Sequence, residues 1–103
     1  MSEPEPTPPP LPDLQQQDLD EDTLRALFRD VAALGQDLEL LVKGAPLEHA
    51  QQGPLTPELA LEGLLAGRWR GVQLRYRYQG QDWWDTVMRL PAGFRVVRMP
   101  AAS

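Results

Sequence analysis

Between residues 24 and 34 the apolar side chains Leu24, Leu27, Phe28, Val31 and Leu34 recur at spacings of three and four, which builds one face of a helix. Asp20-Glu21-Asp22-Thr23 stands just ahead of it, where carboxylates meet the positive end of the helix dipole, and Gly35 supplies a stop. The stretch from Asp37 to Gly44 reads two ways. Leu38 and Leu41 keep the helical phase, whereas Leu38, Leu40 and Val42 alternate with Glu39 and Lys43 as a strand would, and Gly35 favours the strand. Pro46 to Pro54 reads as a loop. After it, Thr56 is placed to cap a helix and Pro57 to occupy its first position: the hydroxyl accepts from an otherwise orphaned amide, and proline has no amide to satisfy. Leu59, Leu61, Leu64 and Leu65 are expected on the buried side of this short helix, which ends at Gly67.

From Arg70 onward the period becomes two. Val72, Leu74, Tyr76 and Tyr78 alternate with Gln73, Arg75, Arg77 and Gln79, the pattern of a half-buried strand. A turn over Gln79 to Asp82 leads to a strand alternating Trp84, Thr86, Met88 and Leu90 with Trp83, Asp85, Val87 and Arg89. A loop of odd length there opposes Tyr78 to Trp84, Leu74 to Met88 and Arg77 to Asp85, so that each pair agrees in character. The second turn, Pro91-Ala92-Gly93, suits a three-residue hairpin with proline leading and glycine closing, which sets Phe94 against Leu90 and Val96 against Met88. In this register Trp84 is the core tryptophan and Trp83 lies outside.

The first 18 residues differ from all of this. Six prolines fall within the first twelve positions, and Gln15-Gln16-Gln17 with the neighbouring acids offers nothing to bury, so residues 1–18 read as a disordered acidic Pro/Gln-rich tail. The run Pro8-Pro9-Pro10-Leu11-Pro12 suits an aromatic groove that reads polyproline, although no Arg or Lys flanks it to set orientation. Residues 19–100 are left as one small α+β domain: two helices on a small, mostly antiparallel sheet, in the order α-β-α-β-β-β.

Composition narrows the chemistry. The 103 residues hold no cysteine and one histidine, which removes disulfides, thiolate metal sites and cysteine nucleophiles. No apolar run approaches the roughly 18–20 residues of a membrane helix, and the N-terminal sequence lacks the basic-then-apolar order of a signal peptide, so a cytoplasmic location and no membrane partner are expected. The net charge of −5 hides two unlike halves: residues 1–66 carry 13 carboxylates against 3 cations, and residues 67–103 carry 7 arginines against 2 aspartates. Either the halves match each other within the fold or an arginine-rich face meets an anionic partner.

Catalytic material is sparse. Glu48-His49 is an adjacent pair in a loop with no neighbouring nucleophile, Asp85 is better used as a cross-strand partner of Arg75 or Arg77, and Gly63, Gly67 and Gly71 fit no phosphate-binding loop. No enzyme activity, cofactor or metal is expected. The outer sheet face is more informative, because Trp83, Val87 and Val97 stand there with Arg75, Arg77, Arg89 and Arg95. Apolar and aromatic side chains mixed with arginine are the material of protein contact sites. These seven residues are the expected partner-binding set of a small non-enzymatic interaction or accessory protein, unless the tail, the first helix or a second copy covers the face. Arginines interleaved with tryptophan and tyrosine also resemble a single-stranded nucleic-acid module, against which the sequence pI of about 4.7 argues.

A short helix, Gly67, a strand, Trp83-Trp84 and a further strand follow in an order that resembles the C-terminal region of accessory proteins for nickel–iron hydrogenase expression. That resemblance covers about a third of the chain and implies a maturation accessory factor for a metalloenzyme. The stretch after Tyr78 departs from it in having no cysteine, and no functional residue transfers.

Overall fold

The computed structural model describes residues 15–44 and 55–101. The elements run β1 (Gln15–Leu19), α1 (Glu21–Leu34), β2 (Gln36–Lys43), α2 (Pro57–Ala66), β3 (Gly71–Tyr78), β4 (Gln81–Leu90) and β5 (Gly93–Pro100). The five strands form one sheet in the order β1-β5-β4-β3-β2, every neighbouring pair antiparallel. Both helices lie on one side of it. The α+β class with two helices on an antiparallel sheet is as the sequence indicates, with one addition at the front. Gln15 to Asp18, read from sequence as tail, join Leu19 in an edge strand paired to β5. Composition concealed this strand, because β1 buries only Leu19 and holds its place through backbone bonds and an ion pair of Asp18 with Arg95 at 2.8 Å. The polyproline run and Glu48-His49 lie outside the described residues.

Local signals set the helix limits. Asp20 caps α1 by accepting from the Thr23 amide at 2.8 Å, and this bond holds the Asp20 carboxyl below its usual range. Thr56 caps α2 through its hydroxyl, with Pro57 next, and Gly67 closes that helix in the left-handed region at φ 78°. The buried face of α1 is Leu24, Phe28 and Val31, while Leu34, expected inside, is 60% exposed beyond the sheet's cover. In α2 the buried residues are Ala60, Gly63 and Leu64, and Leu59 points outward. Leucine on all sides of α2 made its face illegible. What selects the face is Trp69, whose indole lies flat against Gly63 and donates to the Ala60 carbonyl at 3.1 Å.

The register of β4 differs from expectation. Gln79 and Gly80, with φ of 52° and 77°, form a two-residue turn that matches the strand twist, so Tyr78 faces Gln81, Tyr76 faces Trp83 and Leu74 faces Asp85. The second hairpin also closes on two residues, Pro91 and Ala92, with Leu90 facing Gly93. Each loop differs from the odd length expected, which turns β4 over relative to both neighbours and leaves β3 and β5 on the expected faces. Trp83, Asp85, Val87 and Arg89 therefore point toward the helices, and Trp84, Thr86 and Met88 point away. Parity misled because β4 carries a tryptophan and an apolar residue in both phases.

The core is Leu19, Leu24, Phe28, Val31, Ala60, Leu64, Trp69, Val72, Leu74, Tyr76, Val87, Phe94 and Val96, each worth up to about 1.5–3 kcal/mol for a fully buried large side chain. Gly63 packs so closely on Trp69 that a Cβ there would fall inside van der Waals distance of three ring atoms. Alanine normally favours a helix interior over glycine by about 1 kcal/mol, yet here Gly63→Ala is expected to destabilise by about 1–3 kcal/mol through overpacking. Urea unfolding checks this, and the gain that Ala usually brings to a helix would show that the indole gives way freely.

Candidate protein interface

The helix-free side of the sheet carries three rows of side chains set by the pairing register. Leu41, Gln73, Thr86, Val97 and Gln16 form the middle row, Glu39, Arg75, Trp84 and Met99 a second, and Lys43, Gly71, Met88, Arg95 and Asp18 a third. Leu41, Trp84, Met88, Val97 and Met99 are each half-buried by their sheet neighbours and lie under neither helix. Around them, the Arg75 guanidinium rests over the Trp84 ring, 4.2 Å from its centroid, and donates to Gln73 Oε1 at 2.7 Å. Gln73 in turn donates to Thr86 Oγ1 at 2.9 Å. Arg77 pairs with Asp82 at 3.1 Å, and Arg95 with Asp18 at 2.8 Å. Arg95 holds the Asp18 carboxyl below its ordinary value by hydrogen bonding, and its own guanidinium is shifted upward in return.

Of the expected contact residues, Arg75, Arg77, Arg95 and Val97 belong to this face. Trp83, Val87 and Arg89 do not, because the turned-over β4 sends them to the helix side. Val87 is fully buried in the core and Trp83 packs against it. Arg89 donates to the carbonyls of Leu64 and Leu65 at 2.7 and 3.2 Å, satisfying the end of α2 where a cation meets the negative pole of the helix. Trp84, Met88 and Leu41 take their places. Leu41 was legible in the alternation, since a strand that turns Leu40 and Val42 inward turns the residue between them outward.

Among the described residues, the helix side of the sheet holds one buried charge. Asp85 is fully buried, opposite Arg98 on β5, and accepts Nε–H and Nη2–H of that arginine at 2.8 Å each and the Tyr76 hydroxyl at 2.9 Å. The expected pairing of Asp85 with Arg75 or Arg77 is thus replaced by a bidentate bond to Arg98. The hydrogen bonds to Asp85 shift the Arg98 guanidinium upward, and burial pushes the Tyr76 phenol well above its usual 10.0, with the adjacent Asp85 charge adding to it. The two halves of the chain, unlike in charge, are joined across the sheet by Asp18 and Arg95. Most other ion pairs among the described residues stay within one half.

Among the described residues no three of His, Cys, Asp and Glu come together as metal ligands, and no helix is long and apolar enough to cross a membrane. No protein-family model, curated protein or solved structure matches the chain.

Two predictions test the buried cluster. Arg98→Met leaves the Asp85 charge buried without its counter-ion and is expected to cost roughly 3 kcal/mol, the lower part of the range for buried pairs because solvent reaches Arg98. Adding Asp85→Asn is expected to recover a large part of that loss in urea unfolding, whereas additive losses would contradict the pairing. The second concerns pH. A phenol whose value is raised by folding gives stability that is complete below the unfolded value near 10.0 and is lost as pH rises through the folded value. Absorbance titration, taken as the difference between the chain and its Tyr76→Phe variant, is expected to show Tyr76 still protonated at about pH 11.

Proposed function

We propose that this protein is a non-enzymatic interaction module that docks a protein partner through the helix-free face of its sheet. The observation that carries the reading is the row-by-row clustering of Leu41, Trp84, Met88, Val97 and Met99 on a face that neither helix covers, ringed by Arg75, Arg77 and Arg95. Contiguous apolar side chains with aromatic and arginine members mark the centre of a contact site, while the polar ring suits its rim.

A second copy of the same face is the partner that its charges suit. Lys43, Arg75, Arg77 and Arg95 are interspersed with Asp18, Glu39 and Asp82, and two of the cations are paired on their own face at 3.1 Å or less. A surface so nearly balanced selects no strongly acidic or basic partner. It is compatible with itself about a two-fold axis, as the commonest oligomers require. The nucleic-acid reading is weakened by Arg75, whose guanidinium lies on the Trp84 ring where a base would stack.

The test is sedimentation of the full chain from micromolar to millimolar concentration beside a Met88→Glu/Val97→Glu variant. The chain is expected to dimerise and the variant to remain monomeric with an unchanged circular dichroism spectrum, since neither side chain enters the helix-side core. A monomer throughout, or a variant that associates as the parent does, would overturn the assignment of this face.

A further inference from the structure

The sheet ends on β2, which among the described residues has one strand neighbour, β3. Its outer edge therefore carries backbone N–H and C=O groups that no described strand answers, a template for a further strand unless a bulge, a proline or a charge blunts it. In β2 the bulge is confined to one end. Between Gln36 and Glu39 the register shifts and Asp37 takes φ 54°, whereas from Glu39 to Lys43 the ladder to β3 runs without a break, and Gly44 follows at φ 72°. The regular stretch is Glu39-Leu40-Leu41-Val42-Lys43, with Leu41 at its midpoint. Leu40, Leu41 and Val42 are half-buried at this edge, and Glu39 and Lys43 are exposed. Neither charge makes an ion pair among the described residues. Arg75, directly opposite Glu39, is turned to Gln73 and the Trp84 ring, and Lys43 stands opposite Gly71, which has no side chain.

This stretch is complementary to itself. When two copies of one edge meet antiparallel about a two-fold axis, residues of like parity face each other, so every side chain keeps its side of the sheet. Centred on Leu41, the pairing sets Glu39 against Lys43 of the second copy at both ends, Leu40 against Val42 on the helix side, and Leu41 against Leu41 on the helix-free side. Opposite charges and apolar pairs directly across strands are the favourable combinations. Moving the pairing by two residues either way sets a charge against Leu41, and centring it on Glu39 brings carboxylate against carboxylate. Of these registers, the one centred on Leu41 alone matches every pair.

We propose that β2 is a homotypic edge: two copies pair antiparallel through residues 39–43, extending the five-stranded sheet across the seam with the helices of both copies on one side. Five residues a side are far below the roughly 20–30 of a stable interface, and here the inference rests on the face docking proposed above. The edge axis stands normal to the sheet, and the face-docking axis lies in its plane. Two-fold axes at right angles that meet close on four copies. Edge pairing then joins two face-docked dimers through two seams at once, each raising the effective concentration for the other.

The experiment is sedimentation of the full chain from micromolar to millimolar concentration beside Glu39→Lys, Lys43→Glu and an equimolar mixture of these two variants. Both side chains are exposed, so the circular dichroism spectrum is expected to be unchanged. The chain is expected to pass from dimer to tetramer at the upper concentrations. Each variant alone is expected to stop at the dimer, because it places like charges at both ends of the seam. The mixture is expected to regain the tetramer, because every charged pair across the seam then has opposite signs. A parent that stops at the dimer, a tetramer kept by either single variant, or a mixture that fails to regain it would overturn the edge and leave the face reading standing. Dimers formed by Met88→Glu/Val97→Glu and lost in Glu39→Lys would do the reverse, making the edge the dimer contact. A monomer at every concentration would overturn both.

Discussion

A carboxylate with no solvent contact must be answered where it stands, and the sheet is arranged so that Asp85 is. Its two oxygens receive two N–H bonds from Arg98 directly opposite and one O–H bond from Tyr76 on the diagonal, which joins the three central strands. Leaving the charge unpaired would cost about 3–5 kcal/mol, a large part of the stability of a domain this small. Moving β4 by one residue would send Asp85 to the other face, away from Tyr76 and Arg98. The pair is therefore tied to register: the same residue step that satisfies Asp85 places Val87 in the core, puts Arg89 at the end of α2, and leaves Trp84 and Met88 outside.

This arrangement gives the two faces of the sheet different duties. On the helix side, Val72, Leu74, Val87 and Val96 close the core with α1 and α2, and Trp69 against Gly63 sets how near α2 approaches. Past the helices that side opens into an aromatic groove of Trp83 and Tyr78 beside Arg98. On the other side the arginines stay near the surface and order the apolar rows between them, most directly where Arg75 covers Trp84.

Much of this was legible in the residues, for local reasons. Asp20, Thr56-Pro57 and Gly67 mark helix ends through single hydrogen bonds that need no tertiary context, and the alternation in β3 and β5 is one-sided enough to fix their inner faces. β4 was not legible by alternation, because Trp83, Asp85 and Val87 are as mixed a set as Trp84, Thr86 and Met88. Matching pairs by character assumed that a charge belongs outside, and Asp85 breaks that assumption through a partner on β5 that no β3–β4 comparison could reveal. The better signal was in the turn, since glycine as its second residue is what a two-residue hairpin demands. On the helix-free face Arg75, Arg77, Arg95 and Val97 stand where the alternation of β3 and β5 put them, and Trp83, Val87 and Arg89 are displaced together because they share one strand. The strand at Gln15 to Leu19 escaped because it contributes backbone and one ion pair where apolar burial was sought.

The register of β4 decides the buried cluster, the composition of the helix-free face and the groove together. Cross-strand nuclear Overhauser contacts measure it directly. Backbone contacts are expected between Tyr76 and Trp83, between Leu74 and Asp85, and between Asp85 and Arg98. Contacts of Tyr78 with Trp84 and of Leu74 with Met88 would contradict it, returning Trp84 to the core and Asp85 to solvent.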